Sequence, residues 1–224
     1  MKHQPKKCLF FVIIALILLT IGCQGAKKKD QPIHYTPDSQ FNPEYKTVFK
    51  LWTREDRIYK GFDCKLIATA TYKSIQFRKA YTREYSQLYR LNAVDEEKFY
   101  KDQENAADTY NEFIIAAYVP EKKWDDFQKE KSTWKIYLRV DDGAWITPVE
   151  IRKLERNNVV LKHFFPYVTP WKSVYLVRFP SRHRETGETL VGDMAGTLTF
   201  SVSSVLGSAE MAWDLSSEKE IFDE

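Results

Sequence analysis

Few side chains in this sequence are spaced for catalysis or for metal binding. Past the first two dozen residues the histidines are His34, His163 and His183. None has a second His or Cys at the separation a metal site requires. His163 lies in an apolar run, Val159–Phe165, which suits a hydrogen-bonded packing role, and His183 falls in the polar stretch Ser181-Arg182-His183-Arg184-Glu185. Asp141-Asp142-Gly143 has the composition of a tight hairpin turn. It lacks the spaced acidic ladder and distal Glu of a calcium loop. No Gly-x-Ser-x-Gly occurs, and Ser201, Ser203 and Ser204 lie in a strand-like segment. Asp125-Asp126 and Glu96-Glu97 are adjacent pairs, so on a helix their carboxylates would diverge. Gly187, Gly192, Gly196 and Gly207 form no phosphate-cradling pattern. Cys64 sits in an apolar segment without a neighbouring base, as a buried, inert thiol would. The expectation is a protein that is not an enzyme and needs no metal or cofactor.

Aromatic residues are the remaining recognition chemistry. Phe, Trp and Tyr number 33 of 224, and one stretch reads Phe164-Phe165-Pro166-Tyr167-Val168-Thr169-Pro170-Trp171. Its two prolines suppress strand pairing and stiffen the segment. Two readings stand. Phe164, Phe165, Tyr167 and Trp171 could form a contact surface, since large rings supply area at low entropic cost. Alternatively they close one end of the core, and for this stretch that reading is preferred. Trp124, between Lys122-Lys123 and Asp125-Asp126, is the better candidate for an exposed ring.

The elements that would hold these residues follow from periodicity. Lys46–Thr53 suits either a strand or a helix, and the second half of Arg57–Tyr72 reads as a strand. From Ser74 to Leu91 the period changes. Phe77, Tyr81, Tyr85 and Leu88 mark one face of an amphipathic helix, with Arg78, Arg83 and Glu84 on the other. Asp95 is placed as the N-cap of a second helix whose inner stripe is Phe99, Ala106 and Tyr110. Together they predict a helical hairpin over about 74–110. Strands are predicted over 113–119, 133–140, 146–151, 159–165, 173–179, 198–205 and 210–215, separated by Pro, Gly, Asn and Asp turn signals. The fold class is therefore mainly β: an antiparallel sandwich, immunoglobulin-like in architecture, with the hairpin inserted after its first strand. A ligand pocket between hairpin and sheet would be lined by Tyr81, Tyr85 and Phe99.

The N-terminus carries a different kind of information. Lys2, Lys6 and Lys7 precede an unbroken apolar run, Leu9 to Leu19, followed by Thr20-Ile21-Gly22-Cys23. This is the order of a secretory signal. The apolar stretch of about 14 residues is short of the roughly 20 that span a bilayer. The ending Leu-Thr-Ile-Gly-Cys resembles the lipobox of bacterial lipoproteins, with Thr20 where Leu is usual. The resemblance implies cleavage before Cys23, a diacylglyceryl thioether on its sulfur, and acylation of the freed amine. Gln24 in place of Asp implies, by enterobacterial sorting, the outer membrane with the domain facing the periplasm. The chain as a whole is similar in style to small Gram-negative lipoproteins.

That reading divides the chain into a signal peptide (1–22), a lipidated Cys23 with a flexible tether (23–43), and one globular domain (44–224). Two or three acyl chains would make attachment essentially permanent, since each buried methylene contributes about 0.8 kcal/mol. Lys27-Lys28-Lys29 either attracts anionic headgroups or is a solvated part of the tether. The net charge of +3 belongs to the signal: without its three lysines, 31 basic residues face 31 acidic ones. A neutral domain lacks the basic excess of nucleic-acid binders. With Cys23 lipidated, Cys64 has no disulfide partner. The expected function is a non-enzymatic binding or scaffold domain in the cell envelope, its partner an envelope protein or glycan. The alternatives are the hairpin–sheet pocket for a small or lipidic molecule, and a hydrolase whose residues converge only in the fold.

Overall fold

A computed structural model describes residues 41–215. The expected signal segment, Cys23 and the expected tether up to residue 40 lie outside the described residues. Residues 41–43, expected in the tether, already belong to the fold. Phe41 is buried, and the Asn42 side chain caps helix α1 (Pro43–Trp52) by accepting from the Glu44 N–H. Pro43 opens the helix where no intrahelical N–H is needed. Tyr45, Val48, Phe49 and Trp52 then form one buried stripe. This settles the strand-or-helix ambiguity of residues 46–53 in favour of helix up to Trp52, with Thr53 opening the strand that follows.

β1 (Thr53–Lys60) and β2 (Asp63–Tyr72) make a hairpin turning at Gly61-Phe62, with Gly61 at φ +63°. The helical hairpin follows this second strand rather than the first. Its helices are α2 (Ile75–Tyr89), capped by Ser74, and α3 (Ala93–Thr109), capped by Asn92. Asn92, not Asp95, is the cap: its carbonyl oxygen accepts from the Asp95 N–H, and its amide donates to the Asp95 carboxylate. β3 (Tyr110–Tyr118), β4 (Lys135–Val140), β5 (Glu150–Leu154), a short α4 (Val159–Phe164), β6 (Ser173–Pro180), β7 (Thr197–Ser204) and β8 (Gly207–Asp214) complete the order.

All pairings are antiparallel. Five strands form one sheet in the order β1-β2-β3-β6-β5, and three form another in the order β4-β7-β8. This is a mainly β, sandwich-like fold with helices, divided five and three rather than four and three as in an immunoglobulin constant domain. Alternation along β3 explains the layering. Phe113 points to the small sheet and packs against Phe179, Phe200 and Trp213 at centroid separations of 5.8, 4.8 and 5.7 Å. Its neighbours Glu112 and Ile114 point to the opposite face, where the helices lie. The sheets also touch at one edge: Arg54 donates to the Ala212 carbonyl, and the Glu210 N–H donates to Asp56.

Two sequence-based expectations are corrected. Residues 159–164 are helical, because the Asn158 side chain caps the Leu161 N–H and outweighs the β-propensity of two valines. Strand β5 starts four residues later than the predicted 146–151, since Pro148 cannot donate to a ladder. Ile146 instead forms an isolated bridge to Leu138, returned there by the Asp141-Asp142-Gly143 turn. Among the described residues no helix is long and apolar enough to cross a membrane.

Candidate functional site

The strongest electrostatics lie inside the domain, on the helix face of the large sheet. The Glu112 carboxylate accepts from Arg78 Nη2 at 2.7 Å, Lys73 Nζ at 3.0 Å and Arg178 Nε at 2.7 Å. Arg178 continues to Glu150, and Arg78 reaches the Lys73 carbonyl and Gln103 of α3. Arg78 and Glu112 are 1% and 2% exposed. Burial alone would raise the Glu112 pKa, but the three cations hold it down at about 2. Lys73 is pushed down to about 8, first by burial and then by Arg78. The sequence placed Arg78 on the outer face of α2. It turns inward because Glu112 supplies a buried counter-charge, and the pair fastens the hairpin to the sheet. Glu84, also expected outside, is buried and accepts from the Asn42 N–H.

A second network lies two strands away. Glu55 is held by Arg57 and by the Thr69 hydroxyl, with Lys172 Nζ 3.6 Å from its carboxylate. The Tyr167 hydroxyl bonds Thr71 and the Ile114 carbonyl. Both networks are closed. A carboxylate held well below its ordinary pKa by several cations is a poor proton acceptor.

An exposed concave site lies elsewhere, between residues 145–149 and the 180–190 loop. It encloses about 410 Å³ and presents Trp145, Thr147, Val149, Arg182, His183 and Arg184. The loop is built, not loose. Arg182 bridges Thr189, the His183 N–H bonds Glu188, and Gly187 turns the tip at φ +72°. Leu190, buried, pins its return. Trp145 is held from behind by Arg139, whose guanidinium lies 4.4 Å from the ring centre, and by Tyr137 edge-on at 6.2 Å. Arg184 and Glu185 make no ion pair with another described residue. The cleft therefore offers a fixed aromatic ring beside uncommitted charged and imidazole groups, a combination suited to binding. Sequence reading singled out the 181–185 stretch only as a polar loop. Its meeting with Trp145 depends on the Leu138–Ile146 bridge, which has no local signature.

The aromatic residues named from sequence separate into two groups. Phe164, Phe165 and Tyr167 are buried and so are not a contact surface. Phe164 packs on Tyr45 and Tyr81, and Phe165 on Phe77. Trp171, at the end of that stretch, is 74% exposed. Trp124 is half-buried, its carbonyl accepting from Trp134 and its ring covered by Lys123. The proposed hairpin–sheet pocket is filled: Tyr85 stacks on Phe99 at 4.6 Å, and Tyr81 lies 4.5 Å from Phe164. His163 packs against Phe41 at 4.6 Å, and its Nε2 lacks the hydrogen bond expected for it among the described residues. Cys64 is a free, partly buried thiol whose pKa is raised by burial. No group of three or more potential metal ligands occurs among the described residues.

No protein-family model and no curated protein matches the chain. A solved structure of a novel protein of unknown function from Burkholderia pseudomallei K96243 is similar over 67% of this chain and 78% of its own, at 10% identity and a TM-score of 0.36.

Proposed function

We propose that this chain is a bacterial envelope lipoprotein, held on its membrane by acyl chains on Cys23, whose domain is a non-enzymatic binding module. The outer membrane, with the domain in the periplasm, is its place. Its partner docks in the cleft between residues 145–149 and 180–190. One observation carries this reading: the fixed Trp145 ring faces one open cleft with Arg184, Glu185 and His183, whose side chains pair with no other described residue. By contrast, the charges of Glu55 and Glu112 are spent inside the fold. Aromatic and Arg side chains are the groups that most often anchor interfaces.

The test is a photo-crosslinking residue placed at Thr147 in the membrane-bound protein in cells. A discrete adduct from position 147, absent from a control at exposed Lys101 of α3 and lost with Trp145→Ala or Arg184→Glu, is the expected result. Equal background from both positions would overturn the docking site.

A further inference from the structure

One end of the domain carries apolar side chains on two neighbouring turns. The β1–β2 hairpin turns at Gly61-Phe62, and β7–β8 turns at Val205-Leu206. β8 runs beside β1: the Glu210 N–H reaches Asp56, and a Cβ on Gly207 would fall 2.9 Å from Ile58. The two tips therefore lie side by side. Phe62 is fully exposed, Val205 93% and Tyr59 53%. The end of β3 arrives at the same level, and Pro120, Glu121 and Trp124 with Phe62–Lys65 border a recess of about 390 Å³. Lys60, Lys65 and Lys123 lie at this end; Asp63 and Glu121 pair with Lys65 and Lys123 at 3.5 and 3.9 Å, which leaves an excess of one positive charge.

We infer that this end is a second membrane contact, in which Phe62, Val205 and Tyr59 enter the interfacial layer of an anionic phospholipid bilayer and Lys60, Lys65 and Lys123 lie over its headgroups. Rings and aliphatic side chains on projecting turns suit shallow insertion, about 5–10 Å deep. Lysines around them match an anionic surface in sign, and their stems tolerate the boundary. The contact rests on the proposed anchor only for bringing the bilayer near. The 18 residues from Cys23 to Phe41 can span at most about 60 Å. Together, anchor and tip would fix which way the cleft faces.

The experiment uses the full-length protein purified from membranes and reconstituted into phosphatidylethanolamine–phosphatidylglycerol vesicles. With Cys64→Ser, an environment-sensitive fluorophore is attached to a cysteine at Phe62→Cys, Val205→Cys or, as the control, Met194→Cys. Met194 is exposed and precedes β7 at the strand's far end. Labels at 62 and 205 should shift to the blue and be quenched by brominated lipid, while the label at 194 stays aqueous. Lys60→Glu with Lys123→Glu should lower insertion at least about fivefold, as should neutral phosphatidylcholine vesicles. A label at 62 no better quenched than one at 194 would overturn the inference. The mass of the same preparation reports the acyl chains separately. Acylated protein with an aqueous tip would sink only this contact, whereas unacylated protein with an inserted tip would sink only the anchor.

Discussion

Arg78 is the side chain whose partner matters most. Removing one member of a buried ion pair leaves an uncompensated charge, at a cost of about 3–5 kcal/mol. Glu112→Gln should therefore destabilise the domain by that order in urea unfolding. Lys73→Gln should cost less than about 1 kcal/mol, because burial and Arg78 already work against the Lys73 charge. The acid limb of the stability profile follows from the same carboxylate. Glu112 is held at about 2 against an ordinary 4.5, so the unfolded chain binds its proton more readily between those values. The contribution, up to about 3 kcal/mol, is complete above pH 4.5 and is lost as the pH falls toward 2. Lys73 acts in the opposite limb: held at about 8 against 10.5, it makes stability rise with pH across that interval. Chemical denaturation at a series of pH values, with Glu112→Gln and Lys73→Gln as controls, measures both limbs.

At the scale of elements, the two helices of the hairpin differ. α2 buries Phe77, Arg78 and Ala80 against the body, whereas α3 has no buried residue. Amides of α3 should exchange with deuterium well before those of β3 and β6, which lie inside the large sheet. Asn92→Ala removes the α3 cap and should cost about 1 kcal/mol. The elements also show what was legible in the sequence. The helical hairpin and the strands beginning near 110, 135, 173, 197 and 207 follow from local periodicity and turn residues. Residues 159–164 misled because two valines signal β more loudly than one capping Asn. Arg78 and Glu84 misled because helical periodicity assigns charge to solvent, and only a partner distant in sequence reverses that assignment. The cleft was illegible for a similar reason: Trp145 and Arg184 are 39 positions apart and are joined by sheet topology, not by a motif.

At the scale of the whole molecule, two aromatic cores share the large sheet. Phe113 is central to the one between the sheets, so Phe113→Ala should cost about 3–5 kcal/mol and lower both sheets' protection together. Among the described residues no disulfide supplements the core and its ion pairs, because Cys64 is a free thiol. In the proposed function the rigid double core presents the cleft at a fixed geometry while the tether supplies reach. Membrane attachment, binding in the cleft and orientation by the tip then belong to separate parts of one chain. The proposed attachment would make the others useful, and it is read directly by intact mass and N-terminal peptide mass of protein extracted from membranes. The account predicts a mature chain starting at Cys23 and carrying a diacylglyceryl group with an acylated amine. A chain that keeps residues 1–22, or one that begins elsewhere with an unmodified Cys23 thiol, would contradict it.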